Sequence, residues 1–304
     1  MTVLHQDRVI DTRTPRALPR WRVRERAAAP TCHFLPVRRA GIDPAAPVWN
    51  LAELDPDDAP DVGTDVGCLA DLYAQGLAVP PAFALGTAAY LESVEAGGVR
   101  EQLAEIGARL SADGDDPVVI DRLAARVAEL VRAAGPTPRV AAAVGSAYRQ
   151  FGIEDLGGAR VTVLAPTLDA GFDVGVLIPA DEPNTVAYHQ VRGVLTVLEC
   201  VVGCWGRAAG LPHLRQGTAR GSGERAVAVL VQAEVPAEHT GTAHVDDRGR
   251  VVVRPPAHVV LGDYDVAAVE RLARRVQEHW GQPSALCWAL AERRPWILRA
   301  RPCS

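Results

Sequence analysis

The chain has 304 residues, 48% of them hydrophobic and 23% charged, with a net charge of −5 and a pI near 5.9. This is the balance of a folded, soluble protein long enough for a core split over two lobes, and it offers no whole-chain positive field to nucleic acid or an anionic membrane. All 32 basic residues are Arg and none is Lys, which excludes chemistry that needs an ammonium, such as a phosphate-binding or Schiff-base lysine.

Residues 1–30 are rich in Arg and Pro with little periodicity and read as an arm, within a lead-in over residues 1–54. No segment of signal-peptide type opens the sequence, and the apolar run Val194–Trp205 is too short and too polar to span a bilayer, so a cytoplasmic protein is expected. The acidic, turn-rich stretch Asp55–Asp65 predicts a loop. Leu69–Gln75 is helical in pattern with Gly76 as its cap, and Leu77–Leu85 is extended around Pro80 and Pro81. Thr87 is placed to cap a helix through Tyr90 to Ala96. Leu103, Ile106 and Leu110, then Ile120, Leu123, Val127 and Leu130, predict two helices broken at Asp113–Pro117, and a third covers Arg139–Phe151. These helices make a first lobe over residues 55–159.

From residue 160 the pattern turns to strands. Arg160–Ala165, Val174–Ile178 and Ala226–Val235 are rich in β-branched residues, and Thr242–Val245 with Arg250–Arg254 predicts a hairpin around Asp246–Gly249. Val191–Trp205 reads as a buried helix, and Val266–Trp280 as an amphipathic one ending at Gly281. Two strands close the chain, Ala285–Ala289 and Trp296–Ala300, about the charged turn Glu292–Arg294. The order predicts an α+β protein of two lobes, a helical N-terminal half followed by a mixed sheet with interposed helices over residues 160–304.

Six cysteines (Cys32, Cys68, Cys200, Cys204, Cys287 and Cys303) form no CxxC pair and read as buried free thiols of a reducing compartment. His189, His213, His239 and His244 lack metal-ligand spacing, so no metal is expected. The loop Gly217–Gly223 lacks the strand-before, helix-after setting of a phosphate loop, and there is no GxSxG elbow.

Four segments occur in an order and spacing that resemble one family. They are GLAVPPAFALGTAAYLESVEAGGV (Gly76–Val99), the stretch Asn184–Trp205 with its Cys204-Trp205 pair, AVAVLVQAEVPAEHTGTAHV (Ala226–Val245), and the closing helix and strands Val269–Pro302. Together they reach from about Gly63 to Pro302 and resemble the N-terminal ATP-binding domain of phosphoenolpyruvate synthase, pyruvate phosphate dikinase and rifampin phosphotransferase. The resemblance implies an ATP-grasp-like fold with nucleotide between two α+β lobes. The sequence ends just after the Arg301-Pro302 that opens the family's linker, so a stand-alone form without a phosphohistidine carrier is expected.

Carried over position by position, the resemblance also implies a degenerate site. The family's phosphate-binding lysine falls on Asp65 and its strand arginine on Leu164; Arg160 would reach that place only with a register shift that breaks the apolar pattern. The metal-holding glutamate falls on Cys287, a soft ligand ill-suited to Mg²⁺. The last strand replaces the family glutamine by Arg299 and keeps Arg301. Of the two arginines, one is expected to enter the cleft and the other to face the surface or a structural carboxylate. Gln232 matches a residue beside the nucleotide, and Glu234, two residues on along the same strand face, replaces an apolar Met. Glu234 is either part of a remodelled polar pocket or one half of a salt bridge with an arginine, and Cys287 is either a pocket residue or core packing.

Productive binding of ATP and Mg²⁺ is therefore not expected, nor is another cofactor. Two functions from different classes fit: a cleft lined by Gln232, Glu234, Cys287, Arg299 and Arg301 that binds or transforms a small organic molecule, as in bacterial specialised metabolism, or a non-catalytic pseudoenzyme that docks a protein partner through the arm before residue 30. An ATP-binding subunit of a split phosphotransferase is a third. Neither nucleic acid nor membrane is an expected partner.

Overall fold

The computed structural model describes residues 43, 45–55, 58–112, 116–152, 158–165, 187–210, 228–256 and 258–303. The expected strand Val174–Ile178, the loop Gly217–Gly223 and the arm before residue 30 lie outside the described residues. The chain is α+β and divides into two compact units, one holding the described residues up to Glu234 and the other those from Val235 onward.

The first unit is built on a five-stranded sheet of β1 (Val48–Asn50), β2 (Ala82–Leu85), β3 (Val161–Leu164), β4 (Ala187–Val191) and β5 (Val229–Ala233), in the order β1-β2-β5-β3-β4. Around it run α1 (Ala59–Val62), α2 (Thr64–Ala74), α3 (Thr87–Ala96), α4 (Arg100–Ala112), α5 (Pro117–Ala134), α6 (Pro138–Arg149) and α7 (Val194–Gly210). Local chemistry fixes several ends. Asp116 accepts a hydrogen bond from the Val118 N–H (2.9 Å) with Pro117 beginning α5, and Thr137 accepts from the Val140 N–H (3.2 Å) with Pro138 beginning α6. Ile120, Leu123, Val127 and Leu130 are buried at helical spacing as α5 packs on α7, where Gly206 lets the backbone of Ala128 come close. The Tyr188 ring of β4 lies over Gly203 of α7, which puts that helix on one face of the sheet.

The stretch Asp55–Asp65 is not all loop: α1 and the first residues of α2 lie in it. Gly63, with φ of 89°, turns the chain into α2, and its acidic first turn suits the positive end of a helix dipole. Thr87 is the first residue of α3 and Gly86 its cap. Strands β1 and β4 are too short or too polar to announce themselves, and Val191 ends β4 instead of starting a helix.

The second unit is a four-stranded sheet, order β7-β6-β8-β9, of β6 (His239–Val245), β7 (Val251–Arg254), β8 (Ser284–Ala291) and β9 (Arg294–Pro302), with α8 (Asp263–Trp280) packed against all four strands. Asp246 Oδ1 accepts from the N–H groups of Arg248 (3.0 Å) and Arg250 (2.7 Å) to close the β6–β7 turn. Gly281, in the left-handed region at φ 67°, ends α8. Ala243, Val245, Leu286, Trp288, Ile297 and Ala300 share the buried face of this sheet, and Val269, Leu272, Ala273 and Val276 line the buried side of the helix.

Among the described residues every ladder of both sheets is antiparallel, where a mixed sheet was expected. The units divide between Glu234 and Val235 because β5 lies between β2 and β3, and so joins the helix-rich part of the chain.

Candidate functional site

On the second sheet, the face opposite its apolar core is polar. Cys287 stands opposite Arg299 on one side and Thr242 on the other, with Arg254 beyond Thr242. In the next row Ala285 stands between Arg301 and His244, with Val252 beyond. Directly opposed residues in an antiparallel sheet share a face. Arg299 and Arg301 therefore point the same way. The expectation that they face opposite sides fails because strand side chains alternate with a period of two, which returns residues two apart to one side. These two rows carry three arginines and no carboxylate.

Burial tunes the groups on that face. It pushes the Cys287 thiol up to about 11, against the opposing pull of Arg299, so the sulfur is a neutral thiol near neutral pH. Burial also lowers Arg299, and it lowers Arg301 to about 10. Arg301 is only 8% exposed and still a cation at neutral pH. His244 is shifted down, first by burial and then by Arg254 and Arg250, with Asp246 opposing, and its Nε2 is buried without a hydrogen-bond partner among the described residues. Sequence reasoning passed over His244, although its spacing from Thr242 was enough to put it on this face once the strand was known.

The other candidates belong to the first unit. Gln232 stands between Ala82 and Thr162 in the sheet, 4% exposed, and Leu164 lies on the same face one row along, opposite Leu230. The Glu234 N–H donates to the Arg160 carbonyl (3.0 Å), extending the ladder past β5 and keeping Glu234 on the side of Gln232. Of the two readings of Glu234, no ion pair with the exposed Arg160 forms, and Glu234 Oε2 is buried with no partner among the described residues. Gln232 Nε2 is likewise buried and unpartnered. Beside them Thr162 Oγ1 and His189 Nδ1 are 3.3 Å apart at the exposed edge. Asp65 is apart from this row, buried at 2% exposure in the first turn of α2.

The structure thus groups Cys287, Arg299 and Arg301 in one unit and Gln232, Glu234 and Leu164 in the other. Among the described residues no cluster of three or more His, Cys, Asp or Glu could hold a metal ion, and no helix is long and apolar enough to cross a membrane. No model of a known protein family matches the chain, and no curated protein matches it.

Proposed function

We propose that this chain is a degenerate relative of the ATP-grasp-like domain of phosphoenolpyruvate synthase, whose phosphoryl-transfer site now holds a small organic anion. The observation that carries the reading is the make-up of the polar face of β6–β9. Phosphoryl transfer needs Mg²⁺ on oxygen ligands and cations on the phosphates. At the position the resemblance gives to the metal-holding glutamate stands the neutral thiol of Cys287, and the chain has no lysine. What remains on that face is cationic. Arg254, Arg299 and Arg301 lie on that face, and the planar guanidinium is the side chain best matched to a carboxylate.

Titration calorimetry with ATP, with and without Mg²⁺, and with malonate as a simple dianionic probe tests the reading. Malonate is expected to bind the wild type and to lose at least about tenfold in affinity in Arg301→Ala, a loss of one charge-assisted contact, while the variant keeps its native circular dichroism. ATP is expected to give no Mg²⁺-dependent heat. Mg²⁺-dependent micromolar binding of ATP would restore the phosphotransferase reading, and equal malonate affinity in Arg301→Ala would remove the arginine face from it.

A further inference from the structure

We propose that Gln232 and Glu234 form a second binding site, in the first unit, for a small molecule that carries a protonated amine beside a hydrogen-bond acceptor. The inference needs neither the family resemblance nor the anion reading. It rests on two buried polar atoms of opposite character on one strand face: Gln232 Nε2, a donor, and Glu234 Oε2, an acceptor, neither with a partner among the described residues. Residues two apart on a strand lie about 6.8 Å apart along it, which sets the span a ligand must bridge.

Leaving both groups unsatisfied is unfavourable, because a buried donor or acceptor that has lost water and found no partner keeps its full desolvation penalty. A sheet that needed only packing would place apolar side chains here, as it does at Leu230 and Leu164 on the same face. Among the described residues, the neighbouring groups do not relieve either atom. Thr162 is engaged with His189, and Arg160, across the ladder from Glu234, is exposed and makes no ion pair with it. The row Gln232–Thr162–His189 runs from the buried centre of the sheet to its exposed edge.

The chemistry then selects the ligand. Gln232 Nε2 asks for a carbonyl or hydroxyl oxygen. The carboxylate of Glu234 asks for an N–H donor, favours a cationic one, and repels phosphate and carboxylate. An amino amide or amino alcohol has both features at the required span, whereas a polyphosphate has neither.

The probe is 4-aminobutanamide, followed by ligand-observed NMR and by the shifts of the Gln232 side-chain amide. Binding in the millimolar range is expected for so few atoms. Glu234→Gln is expected to weaken it at least about tenfold, the fold-change of one charge-assisted hydrogen bond, and Gln232→Leu at least about threefold. Butanamide, which lacks the amine, is expected not to bind. Because either variant could disturb the sheet, circular dichroism is read on both, and the folded one decides. Wild-type affinity in a folded variant overturns the proposal. So does the absence of binding at tens of millimolar probe, or binding of adenosine in place of the amine.

Discussion

Gly86 and the indole of Trp49 share one space: a Cβ on Gly86 would fall on the Cζ3 and Cη2 atoms of that ring. The backbone of Gly86 is extended, at φ −75° and ψ 171°, so any residue could adopt it, and the indole rather than the dihedral angles demands glycine. Trp49 is buried in β1 and its ring N–H donates to the Asp43 carbonyl at 3.3 Å, so it has little freedom to withdraw. Gly86→Ala is expected to destabilise the protein by about 1 to 3 kcal/mol, the range for overpacking a filled core. Guanidinium denaturation followed by tryptophan fluorescence measures it, and an unchanged midpoint would mean that the indole moves aside freely.

Tyr148 ties three parts of the first unit together. Its hydroxyl donates to the Ala159 carbonyl (2.5 Å) and accepts from the Gly193 N–H (2.9 Å), joining α6 to the approach to β3 and to the turn before α7. Tyr148→Phe keeps the ring and its edge contact with Phe151 but strands both backbone groups. A loss of roughly 2 to 3 kcal/mol is expected by chemical denaturation, with secondary structure unchanged. A loss below about 0.5 kcal/mol would show that water takes over both bonds.

Cys287 gives a prediction in alkaline solution. Its thiol sits at about 11 in the folded chain against 9.0 unfolded, so between those values the unfolded chain has given up a proton that the folded chain still holds. Stability from this group is therefore complete below pH 9.0 and falls as pH rises towards 11. The contrast between wild type and Cys287→Ala isolates the sulfur. The variant is expected to lose less stability than the wild type between pH 8 and pH 10.5, by an amount on the order of 1 to 2 kcal/mol. Equal losses in the two proteins would show that the thiolate is solvated in the folded state.

The sequence disclosed the parts of this fold whose signals are local. The helical spacing of Ile120, Leu123, Val127 and Leu130 was legible as α5, Gly281 as the end of α8, and Glu292–Arg294 as the turn between the last two strands. Structure set by distant partners was not. β1 has three residues, and β4 carries His189 and Gln190 on an exposed edge, so neither shows the apolar alternation of a strand. Which chain segments share a unit depended on β5 pairing with β2 and β3, a long-range choice with no local sign. The candidate residues were legible as residue types in strands. Their grouping required the ladders: Cys287 opposite Arg299, Ala285 opposite Arg301, and His244 brought alongside by β6.

The turn between β8 and β9 uses Glu292 and Arg293 in the left-handed region, at φ 49° and 61°, where Asn-Gly would be at ease. Side-chain-bearing residues there carry a penalty of roughly 1 kcal/mol each. Arg293 recovers part of it by lying 4.6 Å over the Tyr264 ring of α8, and the Glu292 N–H donates to the Glu238 carboxylate (3.3 Å). The hairpin tip is thus held from outside itself. Removing either outside contact is therefore expected to loosen the turn that sets how β9 lines up against β8. Arg299 and Arg301 are carried by β9, so a slip of one residue there would turn both to the opposite face of the sheet.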